Sequence, residues 1–299
     1  MYCIKFYFQI QNWLEGTYTL RILEDFFDLF FKIGTYLLIS IALNIAVLRY
    51  FRGKRFLFSS NSEIFSIVLA ALIGLISPLP TYAAIPIGLS LIPTGIPFSA
   101  VMAFIISSPL MNPSIFFLTA TQLGIEMALV RTVTAFLLGI ISGVCVKTIF
   151  KSVYTASAAI PVNQSSQQRT LLMDIFHNTK YAAKYFSIAI LLSAAVKALI
   201  PPEAIAGLLG KNAKAGTLIA IGMGVPFYSC GGAAIPFIET LKELGMSKGA
   251  ILSFFIAGPA TKLETLYAFK SLLGAKVLMF YLSLTFIFSY MAGLVYSLF

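Results

Sequence analysis

Three side chains that could do chemistry stand beside helix breakers between Gly224 and Glu264: the thiol of Cys230, the amino group of Lys262 and the carboxylate of Glu264. A thiol at a helix break is a ligand for a soft metal or metalloid, whereas a lone buried cysteine more often serves as a small apolar side chain. Cys3 and Cys145 are far away in sequence, so neither a disulfide framework nor a CxxC metal site is offered, and no metal centre or cofactor is expected. Lys262 and Glu264 are ionisable groups within a span, which are costly there and mark substrate or proton handling unless they sit at the interface.

These residues lie among helix breakers. The centre of the stretch reads Gly224-Val-Pro226-Phe-Tyr228-Ser229-Cys230-Gly231-Gly232-Ala-Ala-Ile-Pro236, and Ala257-Gly258-Pro259-Ala-Thr261-Lys262 follows. Proline removes a backbone donor, and in lipid the freed groups must be satisfied by protein or by a water-filled cavity. The same pattern occurs 150 positions earlier. Ala83-Ala84-Ile85-Pro86 falls on Ala233-Ala234-Ile235-Pro236, Gly74 on Gly224, Gly95 on Gly245, Phe104 on Phe254, Pro109 on Pro259 and Gly124 on Gly274. Four breaks result: Pro78 to Thr81 (with Pro80, Tyr82 and Pro86 around it), Ser107-Ser108-Pro109 to Asn112 and Pro113, Pro226 to Gly232, and Gly258 to Lys262. Broken helices at mid-membrane direct unpaired peptide groups and helix-end dipoles into a shared cavity, which is how transporter folds build solute sites. An isolated Gly or Pro serves helix packing more often; four breaks in matching positions point to a solute pathway.

The elements that must position the breaks are membrane helices. The chain of 299 residues is 59% hydrophobic and 11% charged, with a mean hydropathy of +0.92, far below the charged fraction of about a quarter found in soluble domains. The excess of 21 Lys+Arg over 11 Asp+Glu lies in short loops rather than in one patch, so it reads as an orientation signal in the inner membrane and not as a nucleic-acid surface. Residues 1–28, with Trp13 among polar and aromatic residues, read as an interfacial segment rather than a cleaved signal. The first transmembrane repeat takes 29–150, a polar cytoplasmic linker 151–180, and the second repeat 181–299. The expected fold is all-α: a polytopic bundle of about 8–10 segments, built from two inverted repeats with broken or re-entrant helices. Inversion follows if Arg52-Lys54-Arg55 and the linker are both cytoplasmic, which also leaves Lys270 and Lys276 inside and the loop bearing Glu126 and Arg131 outside.

The motifs resemble a known family. Val225-Pro226-Phe-Tyr228-Ser-Cys230-Gly231 with Ala233-Ala-Ile-Pro236, and Lys248-Gly-Ala through Ala257-Gly258-Pro259-Ala-Thr261-Lys262-Leu, resemble the second signature of the YraQ/ArsP-type predicted permeases, the bacterial family that includes organoarsenical efflux permeases. Ser77-Pro78-Leu79 with Ala84-Ile85-Pro86, and Ala103-Phe-Ile-Ile-Ser107-Ser108-Pro109-Leu110-Met-Asn112, are similar to its first. The resemblance implies a permease of eight to ten helices. Many members carry Cys-x-Cys in the first signature, where this chain has Pro80 and Tyr82, so an arsenical cargo that needs several thiols fits this sequence poorly.

Two functional readings stand. The first is a permease moving a small solute, such as a metalloid or organoarsenical, outward by alternating access. It has the lipid bilayer and the solute as partners, no nucleic acid, and is compatible with a homo-oligomer. The second is a membrane-embedded enzyme or assembly factor using Cys230, Lys262 and Glu264. No P-loop or HExxH occurs to give the second a mechanism, and a non-enzymatic permease is the preferred reading.

Overall fold

The computed structural model describes residues 62–77, 79, 81–92, 95–149, 202–210, 213–227 and 234–298, together with 27 and 191. The described residues are helical, with no strand among them. The first group comprises α1 (Glu63–Ile76), α2 (Thr81–Ser90), α3 (Phe98–Ser107), α4 (Pro113–Gln122) and α5 (Ile125–Ile149). A short α6 (Pro202–Ile205) runs into a π-helical turn (Ala206–Gly210). The second group follows as α7 (Ala213–Phe227), α8 (Ala234–Glu243), α9 (Lys248–Thr261), α10 (Leu263–Leu272) and α11 (Ala275–Tyr296). The expected interfacial segment 1–28, the linker 151–180 and the crossings at 29–50 and 181–200 lie outside the described residues, apart from Phe27 and Leu191.

The helix starts follow the sequence register. Glu63 and Ala213, Phe98 and Lys248, Pro113 and Leu263, and Ile125 and Ala275 each open a helix, and in every pair the second number is the first plus 150. The corners repeat as well. Gly124 (φ 101°) and Gly274 (φ 86°) turn the chain sharply between α4 and α5 and between α10 and α11, in a left-handed conformation that a β-carbon would strain.

Among the described residues two helices are long and apolar enough to cross a bilayer: α5, with 25 residues, and α11, with 22. Each divides into two faces at helical spacing. On α5, Leu129, Val133 and Leu137 point outward, while Arg131, Ala135, Leu138, Gly139 and Ser142 are buried. On α11, Val277, Tyr281, Thr285, Ser289 and Gly293 form a buried line, and Met279, Ile287, Met291 and Val295 are exposed. The remaining helices are shorter; α2, α3, α4, α8 and α10 have 10 residues each, about 15 Å of rise and half a bilayer.

Packing is closest where side chains are smallest. In the first group α3 lies against both α1 and α5, and in the second α9 lies against both α7 and α11. A β-carbon on Gly143 would meet the carbonyl of Ser99 at 2.9 Å. Ser253 and Ser289 each donate a hydroxyl to the other's carbonyl at 2.8 Å, the close small-residue contact by which helices associate where lipid is as apolar as the side chains. The two groups touch through α2 on α10, α4 on α8, α9 on α5 and α11 on α5. Exchanging each helix for its counterpart in the register turns the first of these pairs into the second.

Candidate functional site

The break between α3 and α4 is fully described. Helix α3 ends at Ser107; Ser108 keeps helical dihedrals (φ −56°, ψ −46°) ahead of Pro109, and the chain becomes extended at Asn112, before Pro113, where proline disfavours a helical residue. Buried Ser107 turns its hydroxyl back to the Ala103 carbonyl at 2.8 Å. Buried Ser108 reaches across 29 residues and donates to the Leu79 carbonyl at 3.0 Å. That bond ties this break to the one between α1 and α2. Gly74, near the end of α1, permits the approach, since a β-carbon there would collide with the Ser107 hydroxyl. Helix α4 then starts with Asn112 as its cap: Asn112 is extended (φ −153°, ψ 170°), its Oδ1 accepts from the Ile115 amide at 2.9 Å, and Pro113 takes the first helical position.

The break between α9 and α10 falls at the far end of the expected stretch from Gly258 to Lys262: α9 runs through Pro259 and ends at Thr261, and Lys262 (φ −61°, ψ 130°) is the junction. Proline close to the C-terminal end of a helix deletes one backbone bond without forcing the chain out. Thr261 covers the exposed end by donating its hydroxyl to the Gly258 carbonyl at 3.0 Å. Gly258 faces Gly224 across the α7–α9 contact, where a β-carbon on Gly224 would stand 3.3 Å from the Gly258 Cα. Lys262, at the register position of Asn112, is half-buried and makes no side-chain cap for α10; the Leu266 amide bonds its carbonyl at 3.0 Å.

The other expected site residues are placed less fully. Thr81, Tyr82 and Pro86 belong to α2, Pro226 to the last turn of α7 and Glu264 to the first turn of α10; their side chains lie outside the described residues. Pro236 is buried in the first turn of α8. Pro78, Pro80, Tyr228, Ser229, Cys230, Gly231 and Gly232 lie outside the described residues. Among the described residues no three metal-ligating side chains cluster.

Arg131 requires a correction. The sequence reading set it in an external loop with Glu126, but it lies inside α5 at 1% exposure. Its Nη1 donates to the Thr119 hydroxyl at 2.9 Å, and its guanidinium sits 3.9 Å from the centre of the Phe255 ring on α9. Glu126 is at the helix start as expected, but it is bonded rather than loose: Lys248 Nζ donates to its two carboxylate oxygens at 2.9 and 3.0 Å, and the Tyr296 hydroxyl donates at 2.9 Å. Glu239 on α8 is also buried. The signal for Arg131 was available: it falls inside the apolar run from Met127 to Val146, where an ionisable residue is unlikely to be idle.

The comparisons with known proteins fit this construction. The family described as predicted permease matches residues 21–298. The chain belongs to this predicted permease family. Two curated relatives carry no more specific description. The UPF0718 protein MJ0584 of Methanocaldococcus jannaschii is 30% identical over 163 residues, 53% of this chain and 41% of the relative. The UPF0718 protein YcgR of Bacillus subtilis is 23% identical over 215 residues, 69% of this chain and 72% of the relative. The match thus spans less than half the length of the archaeal protein. No solved structure matches the chain significantly. Membership of a permease family makes this a membrane protein, in keeping with the apolar outer faces of α5 and α11.

Proposed function

We propose that the protein is a multi-pass permease of the inner membrane that exports a small solute by alternating access, and that the solute passes between breaks contributed by two inverted repeats. The observation that carries this reading is the pairing of two helix interruptions, Ser107 to Asn112 and Thr261 to Lys262, at matching positions in a chain of a permease family. The matching helix starts support the repeat. Inversion is supported by Glu126 and Tyr296: the first residues of α5 touch the last residues of α11, so two packed helices in equivalent positions run in opposite directions. At the other end of α5, Lys147 pairs with Glu63 at 3.1 Å, and Glu63 follows the Arg52-Lys54-Arg55 cluster by eight residues in sequence, which argues that this end is cytoplasmic and the Glu126 end external.

In this arrangement α1 and α2 form a hairpin that enters from the cytoplasmic side and turns back near Leu79, and α7 and α8 form its counterpart from outside. The solute site is framed by Thr81, Ser108, Asn112, Lys262 and Glu264, with Cys230 as a thiol contact. The Lys262 amino group and the starts of α4 and α10 supply positive potential, and the carbonyl ends of α3 and α9 supply negative potential. A soft metalloid or organoarsenical is the cargo class that Cys230 favours. The permease family argues for transport rather than catalysis.

The test is solute movement in proteoliposomes made with purified protein. Gradient-driven or counterflow accumulation of a trivalent organoarsenical, reduced by Cys230→Ala and by Lys262→Ala, supports the reading. Accumulation no faster than in protein-free vesicles across a panel of metalloids and small organic solutes sinks it, and accumulation indifferent to Cys230→Ala removes the thiol from the site.

A further inference from the structure

The polar contacts that join the two groups of helices gather at the Glu126 end. Lys248, at the start of α9, reaches both oxygens of Glu126 on α5 and lies 5.9 Å from the Tyr296 ring, while the Tyr296 hydroxyl bonds the same carboxylate. Lys242, in the last turn of α8, donates to the Leu123 carbonyl at 3.0 Å and so fastens α8 to the corner between α4 and α5. Five residues along α5, about 7.5 Å deeper, the Arg131 guanidinium spans to Phe255. A rim of hydrogen-bonded charges thus overlies a cation–π contact, and all of it links one group to the other.

The opposite end cannot repeat this. Shifted by 150, Glu126, Lys248, Tyr296 and Lys242 correspond to Lys276, Phe98, Val146 and Ile92, a set with one cation and no carboxylate or hydroxyl. Among the described residues of the Lys147 end, Glu63 bonds Ser99 at 2.7 Å and Lys147 at 3.1 Å, both in its own group. The register that matches the helices therefore does not carry the Glu126 contacts over to the counterpart positions.

We propose that Glu126, Lys248 and Tyr296, with Lys242 and Arg131, form a gate that holds the Glu126 end shut, and that the structure is the state closed at that end. This rests on the permease reading and deepens it: a gate that holds the external end shut leaves the resting protein to load from the cytoplasm. A gate must open in every cycle, and half-exposed ion pairs are weak enough to do so. Glu126 and Lys248 keep 59% and 50% of their side-chain surface open.

Hydrogen–deuterium exchange of the full chain in lipid nanodiscs tests this without any solute. The comparison is between the native protein, Glu126→Lys, Lys248→Glu, the exchanged pair carrying both, and Tyr296→Phe, which keeps the ring and removes one bond. Each single reversal should speed amide exchange at 119–128 and 243–250 by roughly 1.5- to 5-fold, leave 63–67 and 143–147 unchanged or slower, and be undone in the exchanged pair. Tyr296→Phe should show the smaller shift in the same segments. Reversals that exchange like the native protein, an exchanged pair no better than the singles, or faster exchange spread equally over both ends would each overturn the gate. If the swap pattern holds while proteoliposomes carry nothing, the permease reading falls and the two-ended conformational bias stands.

Discussion

At two equivalent positions the halves of the molecule are built from opposite materials. Between α4 and α5 stand Thr119 and Arg131, a hydroxyl and a guanidinium joined by a 2.9 Å hydrogen bond. At the counterpart positions between α10 and α11 stand Phe269 and Tyr281, whose rings stack with centroids 4.2 Å apart and planes 3° from parallel. All four residues are buried. Either pair fills the same corner, so filling it does not require a charge. What Arg131 adds is reach, since its guanidinium extends to Phe255 in the other half. The same register position thus holds a hydroxyl and a guanidinium in one half and two stacked rings in the other.

The strongest challenge to that contrast is Arg131→Ala. Loss of a desolvated cation–π contact and of a hydrogen bond to a charged group should cost about 3 kcal/mol, read as a lower unfolding temperature in detergent. The double substitution Thr119→Phe with Arg131→Tyr, which writes the second half's pair into the first, should recover most of that loss while solute movement stays impaired. A double variant that transports normally would make the guanidinium dispensable.

A second contrast is steric. Ser99 in α3 corresponds to Gly249 in α9, so one half carries a side chain where the other carries none. A β-carbon on Gly249 would fall within contact of the Gly293 carbonyl, a backbone atom that cannot rotate away. Gly249→Ala should therefore cost about 2 kcal/mol by overpacking, whereas Ser99→Ala, which removes only the bond to Glu63, should cost about 1 kcal/mol. Equal thermal shifts would show that α9 and α11 can separate freely.

The two helix starts at the breaks give the smallest effects. Asn112→Ala removes the cap on α4 and should lower stability by about 1 kcal/mol. Lys262→Ala removes no cap from α10 and should change stability by less than about 0.5 kcal/mol, yet lower solute flux in proteoliposomes. If the two substitutions affect stability alike and flux not at all, the breaks are structural punctuation.

Much of the helix pattern was legible in the chain because its signals are local. The run from Glu63 to Ile76, the interruption after Ser107 and the resumption at Pro113 follow from apolar stretches and from proline's missing donor, which act over a few residues. Within the expected stretch from Gly258 to Lys262 the residue types did not say which position leaves the helix; α9 continues through Pro259 to Thr261, whose hydroxyl bonds the Gly258 carbonyl. That Ser107, Ser108, Asn112 and Lys262 stand at the helix breaks was legible in the sequence, but the bond from Ser108 to Leu79 was not, since nothing local links residues 29 apart.

By itself, then, the sequence determined the membrane class, the helix register with its offset of 150, and the positions at which helices stop, all consequences of hydropathy and backbone sterics within a turn or two. Only the tertiary structure decided that Arg131 is buried against the opposite half, that Gly249 has no room for a methyl group, and that Glu126 meets Lys248 and Tyr296. Those facts depend on which helix faces lie together. A charge and its distant partner leave no periodic trace along the chain, so their meeting is fixed by packing alone.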